Sequence, residues 1–156
     1  MIKSTKKEQK NDKKNYPKEF VYDVIERWGR CTPEKIDSGI IELLEYLKTK
    51  YELVILTDWY IKNQNARLEK LNILKYFQNT YGAETTKRKP FPEAFLQAIG
   101  NNKPEECIMI GDNIERDING AIKAGLQAIY YNPKLETKDN EKYKCIKDLK
   151  QLKEIL

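Results

Sequence analysis

The 156-residue chain contains no histidine, and this absence removes two kinds of functional site. A histidine-based catalytic triad cannot form, and a zinc site would have no imidazole ligand. The cysteines Cys31, Cys107 and Cys145 are an odd number, widely spaced, with no CxxC pair. We therefore expect reduced, unreactive thiols and neither disulfide chemistry nor zinc.

Long apolar runs are also absent. No stretch approaches the length needed to span a membrane, and the basic N-terminus is not followed by the apolar segment of a secretory signal. These features predict a soluble, cytoplasmic protein with no membrane partner.

The formal net charge of +5 comes entirely from the first 18 residues, where seven lysines face two acidic residues. This arm has too few apolar residues to offset the entropy of ordering it, so residues 1–18 are predicted to be solvated or disordered. An arm of this kind could touch nucleic acid or an anionic membrane. Because residues 19–156 are neutral, we expect no nucleic-acid partner for the body of the protein.

After the arm, apolar residues alternate between helical and strand spacing. Strands are predicted at 53–56, 80–82, 107–110 and 128–131, and helices at 20–28, 40–47, 61–71, 91–99, 114–124 and 146–152. Helices between successive strands are typical of βαβ units. The predicted fold is therefore α/β, a parallel sheet with helices on its faces.

The segment from Gly111 to Asp117, with the pattern GDxxxxD, is the strongest functional signal. Asp112 directly follows a buried strand, where open α/β sheets bind their ligands, and Asp117 lies in the first turn of the next helix. Two nearby carboxylates suit Mg2+, which keeps waters and often binds substrate phosphate. For Asp117 alone, capping of the helix or interaction with its positive end is an alternative.

Two further residues follow or precede predicted elements at the same edge. Thr57, directly after a strand, offers a hydroxyl and the following backbone N–H groups to an anion, with a helix start close behind; an ordinary helix N-cap is the alternative. Lys89 precedes a helix and could meet a phosphate oxygen; the alternative is a solvated lysine. Taken with Asp112 and Asp117, these residues are what a phosphate dianion and its Mg2+ require.

In this order, the residues resemble the haloacid dehalogenase (HAD) superfamily of phosphohydrolases, over roughly residues 36–156. The resemblance implies a three-layer Rossmann-like core. Thr57 matches the second motif, which binds the transferred phosphoryl group, and Lys89, in KPFPEAF, matches the third. Asp112 and Asp117 match the fourth, which holds or orients Mg2+. The phosphate-binding set is then Thr57, Asp58 and Lys89.

The first motif, DxDxT, is not found, since no DxD occurs in the sequence. In the family its first aspartate attacks phosphorus and its second is the general acid/base. Asp23 is the nearest acidic residue after a strand-like run, with Ile25 in place of the second aspartate. Helical periodicity through Trp28 fits that segment better and favours a remnant of a cap helix over residues 19–35, before the core at 36–156.

The first strand is central in the family, between the strands that end here at Thr57 and Asp112. Without it, two rows of backbone groups lack partners. Residues 19–25 could form a degenerate strand, the flanking strands could pair directly, another chain or self-association could complete the sheet, or the chain could be an N-terminally truncated copy.

The resemblance implies a Mg2+-dependent phosphatase of small phosphorylated metabolites, with Lys89 catalytic and Asp23 a poor candidate nucleophile. Because the aspartyl nucleophile is missing, we expect weak or no activity from the isolated chain. The alternative is a non-catalytic phosphate- or metal-binding module, or one half of a split enzyme. A receiver-like signalling domain would share the fold class but needs an acidic pair near its first strand.

Overall fold

The computed structural model describes residues 17–30, 35–134 and 139–156, so Cys31 and most of the basic arm lie outside the described residues. Six α-helices occur in these ranges: α1 Lys18–Arg30, α2 Ser38–Lys48, α3 Ile61–Lys70, α4 Pro92–Ile99, α5 Asn119–Lys123 and α6 Leu152–Ile155. None of the described helices combines the length and the apolarity that crossing a membrane requires. The helix predicted over residues 20–28 is confirmed by α1.

Five strands occur in the same ranges, most of them separated by these helices. They are β1 Val54–Leu56, β2 Asn79–Tyr81, β3 Ile108–Gly111, β4 Gln127–Tyr131 and β5 Lys144–Ile146. Every strand pair is parallel, which confirms the predicted α/β class. The prediction that Ile146 begins a helix was wrong, because it ends β5 and is buried against α2 and α6. A strand of three residues is too short to show a readable period.

Alternate residues of the strands face opposite helical layers. In β4, Ala128 and Tyr130 pack with the residues of α4 and α5, whereas Ile129 packs with α2 and α6. In β3, Met109 faces the first layer and Ile108 the second. This period of two, with both faces apolar, is expected for a parallel sheet between two helical layers. The three-layer arrangement predicted from the resemblance is therefore present.

The strands form two separate sheets among the described residues. One contains β1 and β2, and the other has the order β3-β4-β5. Direct pairing of the flanking strands, one way to close the sheet, was therefore wrong, since β1 and β3 do not pair there. A degenerate strand over residues 19–25 was also wrong, because these residues are helical in α1. The position between β1 and β3 holds no described strand.

Helices bridge the two sheets where the strands do not. On α2, Leu43 and Leu47 pack against the β3-β4-β5 sheet, while Ile41 and Leu44 contact the cluster that contains Ile55 of β1. On the opposite face, the cluster around α4 and α5 also includes Leu56 of β1. Burial of apolar side chains thus connects the two sheets on both faces.

The core around α4 gives a direct test of this packing. Phe95 is 1% exposed, whereas the adjacent Leu96 is 44% exposed. We expect Phe95→Ala to lower the free energy of unfolding by about 3–5 kcal/mol, because it removes an aromatic ring and leaves a cavity. Leu96→Ala, on the same helix, should have a small effect. Chemical denaturation of both variants measures the difference, and equal losses would contradict the described packing.

Candidate phosphate and metal site

The site is built at the carboxyl ends of β1 and β3. Thr57 extends β1, since its N–H donates to the Tyr81 carbonyl at 2.9 Å. Its Oγ1 accepts the Trp59 N–H at 3.2 Å, which fixes the side chain over the first turn of the loop. The hydroxyl proton remains available to an acceptor. Thr57 is therefore not the N-cap of α3, a position that Tyr60 occupies.

The start of α3 does not contribute to an anion site, contrary to expectation. Its first N–H, from Ile61, donates to both carboxylate oxygens of Glu84, at 2.9 and 3.1 Å. The chain's own carboxylate thus meets the positive end of this helix. Gly82 permits this close approach, since a Cβ there would lie 2.6 Å from the Trp59 carbonyl oxygen and 2.9 Å from Glu84 Oε2.

Lys89 and Asp117 form a buried ion pair between the loop before α4 and the turn after β3. The distance from Lys89 Nζ to Asp117 Oδ1 is 2.5 Å, and the two side chains are only 10% and 6% exposed. The alternative that Lys89 is a solvated lysine is excluded by this burial. A buried ammonium held by a carboxylate is a preorganised cation that can also reach a bound anion.

Asp117 is folded back over the end of β3. Its Oδ2 accepts the Asn113 N–H at 3.1 Å, and residues Ile114–Ile118 form a π-helical turn that carries it there. Gly111 makes room for it, because a Cβ at that position would lie 2.4 Å from Asp117 Cβ. The glycine of the GDxxxxD pattern is thus needed for the position of its last aspartate.

Asp58 connects three loops through one carboxylate. Its Oδ1 accepts the Lys89 N–H at 2.9 Å, and its Oδ2 forms an ion pair with the guanidinium of Arg116. The loops after β1 and β3 and the loop before α4 therefore meet at this side chain. An ionised carboxylate has no donor to offer an anion, and both Asp58 oxygens already accept donors.

Asp112 directly follows β3 and is exposed, beside Gly111 and Asn113. Its carboxylate and that of Asp117 are hard oxygen donors, the ligand type that Mg2+ prefers. No cluster of three or more potential side-chain ligands occurs among the described residues. The exposed Asp112 carboxylate suits a cation that takes few carboxylates and completes its shell with water and phosphate oxygens, as Mg2+ does, whereas both Asp117 oxygens already accept donors, from Lys89 and Asn113.

Asp23 does not lie at the end of a strand. It is in the middle of α1, half-exposed, and pairs with Arg27 one turn further along at 2.8 Å. The weak assignment of Asp23 as a nucleophile is thus not supported by its position on the surface of a helix. Its ion pair is of the ordinary i, i+4 type.

Cys107 is a free, partly buried thiol. Burial raises the pKa of the Cys107 thiol, and the charges of Glu106 and Glu105 add to this shift. Because the thiolate is the reactive form, Cys107 stays protonated and unreactive near neutral pH. The direction of this pKa shift agrees with the expectation of an unreactive thiol at this position.

The structure brings Thr57, Asp58, Lys89 and Asp117 to one edge, with Asp112 at the end of the adjoining β3. Sequence reasoning missed Arg116 and Glu84, whose partners are 58 and 23 residues away in the chain. No local pattern encodes such pairs. The only signal for Arg116 was a cation inside an otherwise acidic motif, opposite a carboxylate at a neighbouring strand end.

Comparison with known proteins identifies relatives of this chain. The family described as haloacid dehalogenase-like hydrolase matches residues 1–131. Pyrimidine 5'-nucleotidase PynA of Streptococcus pneumoniae is 34% identical over 101 residues, which cover 62% of this chain and 43% of PynA. Glyceraldehyde 3-phosphate phosphatase of Pyrococcus furiosus is 32% identical over 123 residues, covering 73% of this chain and 51% of that protein. The chain thus spans about half the length of these curated relatives.

Solved structures show the same likeness. A HAD phosphatase from Thermococcus onnurineus superimposes with a TM-score of 0.70 at 27% identity, covering 86% of this chain and 63% of that one. The putative HAD-hydrolase YfnB of Bacillus subtilis, in a form bound to magnesium, superimposes with a TM-score of 0.67 at 27% identity, covering 75% of this chain and 53% of YfnB.

The buried ion pair can be tested against an exposed one two residues away. We expect Lys89→Met to lower the free energy of unfolding by about 3–5 kcal/mol, because it leaves the Asp117 carboxylate buried without a cation. Lys87 also forms a 2.5 Å ion pair, with Glu93, but its side chain is 61% exposed. Lys87→Met should therefore change stability little. Equal losses in urea titrations would contradict the burial of the Lys89 pair.

Proposed function

Because the chain belongs to the haloacid dehalogenase-like hydrolase family, we propose that it carries the phosphate- and Mg2+-binding part of a phosphatase that acts on small phosphorylated metabolites. One observation carries this proposal. The Lys89–Asp117 pair lies at the carboxyl edge where Thr57 and Asp112 also end their strands. A cation, a hydroxyl and two carboxylates at one sheet edge suit a phosphate with its metal.

Each residue has a role that its contacts support. The Thr57 hydroxyl donates to a phosphoryl oxygen while Trp59 N–H holds Oγ1 in place. The Lys89 ammonium, already oriented by Asp117, stabilises negative charge on the phosphoryl group. Asp112 is the carboxylate that is open to Mg2+. Asp117 orients the Lys89 ammonium and the Asn113 backbone N–H through its two carboxylate oxygens. When bound, Mg2+ would neutralise phosphate charge and fix the orientation of the group.

The names of the relatives indicate a class of substrate and no single compound. PynA is named as a pyrimidine 5'-nucleotidase and the Pyrococcus protein as a glyceraldehyde 3-phosphate phosphatase. Both names describe enzymes that act on phosphomonoesters of small molecules. We propose the same class here, with the phosphate as the shared recognition element.

Turnover requires a nucleophile that this sequence does not display. No DxD occurs in it, and Asp23 lies on the surface of α1. In the proposal, the chain binds and orients phosphate, and any attack on phosphorus depends on a carboxylate at the position between β1 and β3. The isolated chain should therefore hydrolyse phosphomonoesters slowly or not at all.

A second candidate function is supported by the separation of the two sheets. If the strand between β1 and β3 comes from a partner chain or from self-association, the chain is one half of a split enzyme or a binding module. Among the described residues β1 and β3 do not pair with each other, and an unpaired strand edge is a template for strand addition.

The binding proposal is tested with inorganic phosphate and MgCl2 by isothermal titration calorimetry. We expect Thr57→Val to weaken phosphate binding about tenfold, since it removes a hydrogen bond to a charged group. Thr49→Val is the matched control, because the Thr49 hydroxyl bonds only the Tyr46 carbonyl at the end of α2. Equal phosphate affinity in wild type and Thr57→Val would contradict the proposed site.

The missing nucleophile is tested by hydrolysis of p-nitrophenyl phosphate with Mg2+. We expect little or no turnover by the chain alone, and recovery when a strand-forming peptide containing DxDxT is added. Recovery would favour the split enzyme over the binding module. The chain alone could instead show substantial turnover that Asp23→Asn abolishes. That result would show that Asp23 is the nucleophile and that its assignment to a non-catalytic surface helix is wrong.

A further inference from the structure

Asp58 lies in the site, but both of its carboxylate oxygens contact other residues of the chain. Its side chain is 17% exposed and its two oxygens meet donors from two different elements, the Lys89 N–H and the Arg116 guanidinium. We infer that Asp58 is a positioning residue: its carboxylate holds the backbone of Lys89 and thereby sets the ammonium at the phosphate site, without touching phosphate itself. This inference rests on the proposed function of that site.

Lys89 is held at both ends by carboxylates. Its backbone N–H donates to Asp58 Oδ1 at 2.9 Å, and its Nζ contacts Asp117 Oδ1 at 2.5 Å. The four-carbon stem between them is flexible, so one fixed end alone leaves many rotamers open to the ammonium. With both ends fixed, few positions of the ammonium remain, which is the preorganisation that binding of an anion requires.

Arg116 offsets the negative charge of Asp58 beside the proposed phosphate site. A carboxylate near a phosphate dianion would repel it, and the repulsion is strong where water is excluded. The Asp58–Arg116 pair offsets that charge, and its two partners come from the loops after β1 and β3. The same carboxylate therefore also links the two sheets at their functional edge.

The opposing explanation is that Asp58 acts only through its negative charge. It predicts the opposite change in phosphate affinity when Asp58 is replaced. If Asp58 mattered only through its charge, both Asp58→Ala and Asp58→Asn would strengthen phosphate binding. If it positions Lys89, Asp58→Ala should weaken phosphate binding about tenfold through loss of the hydrogen bond. Asp58→Asn keeps an oxygen for the Lys89 N–H and should stay close to the wild-type affinity.

Asp37 provides a matched control elsewhere in the chain. Its Oδ1 also accepts one backbone N–H, from Gly39 at 2.7 Å, and it also pairs with one basic side chain, Lys150 at 3.4 Å. Asp37→Ala therefore removes the same kinds of contact at the start of α2. It should reduce stability and leave both measurements below unchanged.

The experiment uses the full chain and two readouts. Inorganic phosphate binding with Mg2+ is measured by calorimetry, and the Lys89 ammonium is followed by 15N NMR, assigned through its loss in Lys89→Arg. The buried ion pair should give wild type a Lys89 ammonium signal distinct from those of exposed lysines. We expect Asp58→Ala to lose this signal and Asp58→Asn and Asp37→Ala to retain it.

The outcomes separate the inference from the proposed function. An unchanged ammonium signal and wild-type or tighter phosphate binding in Asp58→Ala would overturn the inference, as would equal loss in Asp58→Ala and Asp58→Asn. If wild type binds no phosphate, the proposed function fails, and the ammonium signal alone then decides whether Asp58 positions Lys89.

Discussion

Cohesion between the two sheets depends on side chains, because no described backbone hydrogen bonds join β1 to β3. Apolar residues of α2 connect the sheets on one face and the cluster around Phe95 connects them on the other. At the carboxyl edge, the Asp58–Arg116 pair adds a polar connection. Every other feature of the site relies on this arrangement, since Thr57 and Asp112 belong to different sheets.

Much of the fold could be predicted from apolar spacing. The strands just before Thr57 and Asp112 were predicted within one residue, because runs such as CIMI and LVIL are apolar on both faces. The helix over residues 20–28 was predicted from its apolar period. This period correctly indicated that Asp23 lies in a helix and not at the end of a strand. The strand β5 was missed, since its three residues KCI carry no period that separates strand from helix.

The members of the candidate site could be proposed from the sequence, but their contacts could not. Thr57 follows a strand, Lys89 precedes a helix and Asp117 lies in the first turn after a strand. That Glu84 occupies the start of α3, or that Asp58 bonds the Lys89 backbone, depends on pairs far apart in the sequence. Such contacts follow from the tertiary fold, and a period or motif in one segment contains no information about them.

The formal charges at the carboxyl edge have a thermodynamic consequence. Lys89 is paired with Asp117 and Arg116 with Asp58, so the formal charges of these four side chains cancel, and Asp112 adds one negative charge. A phosphate dianion and a divalent cation would each enter a site that the other makes more favourable. Their affinities are therefore linked by one coupling free energy, equal in both directions. For the proposed site, this linkage predicts that each ligand binds more weakly when the other is absent.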